Sequence, residues 1–135
     1  MSAQILLCAS ATIVFLLGTL HLAYTFATTK FLPRDAALAQ RMREVAPVIS
    51  GQTSMWRAWV GFNASHSLGA MLFGLVYGYL AIAHAALLLS DPFLLSLGGL
   101  FLASLLILAR RYWFRIPFIG IALALALYLA GALPV

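Results

Sequence analysis

Four long stretches of this chain, residues 4–28, 58–84, 93–109 and 116–133, contain no Asp, Glu, Lys or Arg. All four are far longer than the 9–11 residues of a membrane β-strand and close to or above the roughly 20 residues that cross a bilayer as helix. Asp91-Pro92 breaks the apolar run between the second and third stretches, which otherwise continues towards Leu89. Proline lacks an amide donor and biases its predecessor away from helix. Soluble domains carry about 25% charged residues, whereas only 8% of these 135 residues are charged and 64% are hydrophobic. The expected fold is therefore all-α: one polytopic domain, 1–135, of four transmembrane helices. Lipid can accept most of its apolar surface, so the usual size limit on a small water-soluble core does not apply.

The eight basic residues fall in two places only. Lys30, Arg34, Arg41, Arg43 and Arg57 lie between the first two spans, and Arg110, Arg111 and Arg115 between the last two. By the positive-inside rule, segments 29–57 and 110–115 are expected to be cytoplasmic. The termini and the Ser90-Asp91-Pro92 turn are expected on the other side. A net charge of +5 distributed in this way reads as topology charge, with anionic lipid headgroups as its partner, and not as a nucleic-acid surface. Trp56, Trp59 and Trp113, with Tyr112, adjoin the basic loops, where aromatic belts form; an aromatic cage is the functional alternative. The first residues include no Lys or Arg, so the basic region of a secretory signal is missing and the first span is expected to be retained. The single Cys8 has no cysteine to pair with and reads as a small buried hydrophobe.

Within the first loop, Pro33–Val45 reads as a short interfacial amphipathic helix. Asp35 supplies the N-cap and Leu38, Met42 and Val45 the apolar stripe. A lid over a cytoplasmic-side site is the alternative. Small residues at helical spacing mark expected contact faces: Val14 and Gly18 on span one; Ala70, Gly74 and Gly78 on span two; Gly99 and Ala103 on span three; Gly120, Ala122, Ala124, Ala126 and Ala130 on span four. Such faces also suit homo- or hetero-oligomers.

The least expected segment is Gly-Phe-Asn-Ala-Ser-His-Ser-Leu-Gly, residues 61–69. A polar group in hydrocarbon without a partner costs about 2–7 kcal/mol, and ionisable residues within spans are functional-site hypotheses. His66 follows the start of span two by about eight residues, and His21 precedes the end of span one by about seven. At 1.5 Å per residue both lie roughly 10–13 Å deep from the same side, and antiparallel spans let the rings meet. The candidate site is His21, Tyr24, Thr25, Asn63, His66 and Ser67, with Phe26, Phe62, Phe73 and Tyr77 lining an apolar path. His84, about 27 Å further along the helix, is expected to reach the far interface.

Three functions compete for this site. It is a binding site for a lipophilic molecule such as a quinone, isoprenoid or sterol-like lipid, since neutral imidazole both donates and accepts. A lipid-modifying enzyme using His21 or His66 as acid or base is a subset of that reading. Alternatively, the polar residues are interhelical hydrogen-bond glue in a structural or accessory subunit. Third, the two histidines are axial ligands of a haem; neither haem nor another cofactor is the favoured expectation, and no metal set is evident. An ion pathway is disfavoured because no span holds a formal charge. A hydrolase is disfavoured because no carboxylate can orient either histidine. Asn63-Ala64-Ser65 matches a glycosylation sequon, but lies inside a span.

The phrases His21-Leu22-Ala23-Tyr24-Thr25-Phe26 and Trp56-Arg57-Ala58-Trp59-Val60-Gly61-Phe62-Asn63-Ala64-Ser65-His66-Ser67 resemble those of a small bacterial family of four-helix membrane proteins without assigned function. In length and span count the whole chain is similar to that family, and more loosely to DoxX-like proteins. The resemblance implies a bacterial inner membrane and carries no activity.

Overall fold

A computed structural model describes residues 2–133. It contains six helices: α1 (Ser2–Ala27), α2 (Ala36–Glu44), α3 (Met55–Ala83), α4 (Ala85–Ser90), α5 (Pro92–Tyr112) and α6 (Arg115–Ala132). No strand occurs among the described residues. Helices α1, α3, α5 and α6 are each long and apolar enough to cross a membrane. The chain is thus all-α with four candidate transmembrane helices, as a multi-pass membrane protein requires.

Two compact units divide the chain: Met1–Leu17 with Ala70–Val135, and Gly18–Gly69. The first is built on close helix packing. Its core gathers Leu7, Ala11, Val14, Ala70, Phe73, Tyr77, Ala81, Leu88, Leu102, Ala124 and Tyr128. Gly74 is required at its position, because a Cβ there would stand 2.6 Å from Phe15 Cβ and 2.8 Å from the Ala11 carbonyl oxygen. Small residues let membrane helices approach to such distances. Buried Ser10 donates its hydroxyl to the Ala124 carbonyl at 2.7 Å, which satisfies a polar group that hydrocarbon cannot.

The start of α5 is fixed twice. Asp91 accepts from the amides of Phe93 (2.8 Å) and Leu94 (3.2 Å), with Pro92 at the first helical position, where its missing N–H costs nothing. Two tyrosines then clamp the first turn: Tyr77 Oη donates to the Leu94 carbonyl at 2.8 Å and Tyr128 Oη to that of Leu95 at 2.9 Å.

Several expectations are corrected in this unit. Phe73 and Tyr77, expected along an apolar path, belong to this core: Phe73 stacks on Tyr77 at 4.5 Å and on Phe101 at 4.8 Å, and Tyr77 meets Tyr128 edge to face at 5.9 Å. The contact stripe of α5 is Gly98, Leu102, Leu105 and Ala109, one residue out of phase with the Gly99 and Ala103 face read from spacing. The large Tyr128 ring lies against Gly98 and sets the rotation of the helix. On α6 the buried stripe is Ile121, Ala124, Tyr128 and Gly131, while Ala126 and Ala130 face outward. The second span also ends in a break, at His84 (φ −137°, ψ 39°), before α4 resumes.

Candidate imidazole and aromatic site

All six candidate residues belong to the Gly18–Gly69 unit. Here the last part of α1 faces the first part of α3, and His21 and His66 do meet: their ring centroids are 5.4 Å apart, edge to face. Asn63, one turn before His66 on α3, sets the polarity of the pair. Its Nδ2 donates to the Trp59 carbonyl at 2.8 Å, and a carbonyl can only accept. The amide therefore presents Oδ1 to His21 Nε2, at 2.9 Å. Oδ1 is also only an acceptor, so Nε2 of His21 carries the proton and neutral His21 keeps its acceptor lone pair on Nδ1. The orienting role that a carboxylate would fill is taken by a neutral amide. It fixes the tautomer of the neutral ring.

The hydroxyl groups play a smaller part than their spacing predicts. Thr25 Oγ1 donates back to the His21 carbonyl at 2.8 Å, and buried Ser67 Oγ to the Asn63 carbonyl at 2.9 Å. Both are four residues from their acceptors, the usual way a hydroxyl is satisfied within a helix. Tyr24 is turned towards the loop, with Lys30 Nζ 4.0 Å from its ring centroid. The cluster at the centre is therefore His21, Asn63 and His66. Of the proposed lining aromatics, Phe26 (67%) and Phe62 (77%) are exposed.

Two residues that spacing did not assign to the site complete it. Phe31 packs on His21 with centroids 4.7 Å apart. Trp59 meets Phe31 edge to face at 6.4 Å and donates its indole N–H to the Phe31 carbonyl at 3.2 Å, so this belt tryptophan also pins the loop after α1. The signal for Phe31 was the apolar Phe31-Leu32-Pro33 triplet shortly after the end of the first span. Phe31 and Trp59 in turn line an open concavity of about 400 Å³ with Lys30, Leu32, Pro33 and Met42. Met42 comes from α2, whose expected N-cap is present: Asp35 accepts from Ala37 at 2.8 Å and Leu38 at 3.4 Å.

The edge of one ring meets the face of the other, and His21 Nε2 is engaged by Asn63. No group of three or more metal-ligating side chains occurs among the described residues. Every buried side-chain nitrogen or oxygen among them has a hydrogen-bond partner. His84 belongs to the other unit, with Nε2 3.3 Å from Tyr79 Oη. Compared with family models, curated proteins and solved structures, the chain matches none.

Proposed function

We propose that this multi-pass membrane protein binds a lipophilic small molecule in its Gly18–Gly69 unit. The observation that carries this reading is the concavity of about 400 Å³, walled by Phe31, Leu32, Pro33, Met42 and Trp59, with one cation, Lys30, on its lining. Ligand sites typically have volumes of about 300–1,000 Å³ and combine apolar walls with few polar groups. The apolar body of a quinone, isoprenoid or sterol-like lipid lies on these walls. Its carbonyl or hydroxyl is directed to the imidazole pair, with Phe31 as the shared wall between the two. The basic loops 29–57 and 110–115 face the cytoplasm and the outer ends of α1 and α6 face away. The bacterial inner membrane is the location implied by the resemblance of the two motifs.

A specific observation favours a second reading, in which the polar cluster only ties α1 to α3: both ends of the Asn63 amide are already used. Lipid extraction and native mass spectrometry of purified protein separate the two. The binding reading expects a co-purifying amphiphile that is lost in His66→Ala and in Met42→Arg, a change at the concavity that leaves the histidines untouched. If both variants keep the same bound lipids and His66→Ala only lowers thermal stability, the ligand reading fails and the structural one stands.

A further inference from the structure

The segment joining α2 to α3 exposes its most hydrophobic residues. Val48 and Ile49 are 108% and 92% exposed, at the corner of a turn in which the Ser50 amide donates to the Pro47 carbonyl at 3.2 Å. This is a built loop. The Met55 amide closes its base on the Val45 carbonyl at 2.8 Å, and Ser50 Oγ accepts from the Gln52 amide at 3.1 Å. At the base the Arg43 guanidinium lies 5.8 Å from the Trp56 ring centroid.

Charge around the loop is unbalanced. Against five basic residues, segment 29–57 offers only Asp35 and Glu44. Asp35 is engaged by the amides at the start of α2, and Glu44 lies 3.6 Å from Arg41. Arg43 and Arg57 have no acidic partner among the described residues. Exposed aliphatic residues joined in one loop with arginines and a tryptophan are the residue types that occupy a bilayer interface, aliphatic groups deepest and amphipathic and cationic groups at the headgroups. Two side chains cannot form a stable protein interface, which takes about 800 Å² from each partner. A bilayer demands no such area, because the spans already hold the loop near its surface.

We propose that the 46–54 loop inserts Val48 and Ile49 into the bilayer that the helices span, with Arg43 and Arg57 meeting anionic phospholipid headgroups. This is independent of what occupies the concavity.

The test uses the full chain with Cys8→Ser, carrying one cysteine in place of Val48, Ile49 or Gln52 and a nitroxide label on it. Each variant is reconstituted in phosphatidylcholine–phosphatidylglycerol vesicles and in phosphatidylcholine alone. Collision with oxygen and with a water-soluble nickel chelate is read by power-saturation electron paramagnetic resonance. In the mixed vesicles, oxygen collisions should exceed nickel collisions at 48 and 49, and the order should reverse at 52. That preference should weaken in phosphatidylcholine alone. Nickel access at 48 and 49 equal to that at 52 overturns the proposal. So does protection from both reagents, which would mean a protein surface covers the tip. Equal depth in both vesicle types overturns the assigned headgroup charge.

Discussion

Gly98 and Gly99 are adjacent and chemically identical, yet a methyl group added to each meets different surroundings. At Gly98 it would run into the Tyr128 hydroxyl and stand 2.6 Å from Tyr77 Cε1, whereas at Gly99 its nearest approach is 3.8 Å from Tyr128. Gly98→Ala should therefore destabilise the protein by about 1–3 kcal/mol through overpacking, and Gly99→Ala should be close to neutral. Thermal unfolding of the two variants in the same detergent measures the difference. Asn63 makes a second case at this scale. Asn63→Ala leaves the His21 N–H and the Trp59 carbonyl without their shared partner, at a cost of about 0.6–2 kcal/mol. The imidazole proton and carbon NMR shifts of His21 should also change, because nothing then selects its tautomer. The histidine pair itself was legible in the sequence, from two equal depths on antiparallel spans. The retirement of Thr25 and Ser67 onto their own helix was not. A hydroxyl near a histidine in sequence has a backbone carbonyl four residues back as a nearer acceptor.

Helix starts were the most readable elements. Asp35 before α2 and Asp91-Pro92 before α5 combine a side-chain acceptor with a segment of exposed amides, a local interaction that needs no distant partner. At α5 that local device supports tertiary structure, since the capped first turn includes Leu94 and Leu95, whose carbonyls receive the two tyrosine hydroxyls. Asp91→Ala should cost about 0.5–2 kcal/mol, and hydrogen exchange should quicken at the Phe93 and Leu94 amides first. Asp91→Asn should keep most of the protection, because an amide oxygen also accepts. The break between α3 and α4 had no such signature. Ala83-His84-Ala85 contains neither glycine nor proline, and the apolar pattern runs through it. The edge-to-face contact of His84 with Tyr79, at 5.3 Å, is a contact only the folded chain reveals.

On the scale of the whole molecule, exposed Ile5, Ile82, Phe93 and Ile116, one on each of the four long helices, would be costly in water and are suited to lipid, where apolar surface carries no penalty. The proposed orientation is checked with reporter fusions. Alkaline phosphatase fused after Val135 should be active, and a sandwich fusion at Gly51 should be inactive, since the enzyme needs an oxidising compartment. The reverse pattern would invert the topology and place the histidine cluster near the non-cytoplasmic face.

Span number, helix type and charge asymmetry were fixed by the sequence alone, because transfer of a segment into lipid is close to a sum over its own residues and basic loops report orientation locally. The rotation of each helix was a tertiary decision. Neighbouring residues differ by about 100° around a helix axis, so the choice of Gly98 over Gly99 rests on the place of one distant tyrosine ring. The same holds for the site. Residue spacing put two imidazoles at one depth, while the folded chain added Phe31 and Trp59, left Phe26 and Phe62 exposed, and gave His21 its tautomer through Asn63.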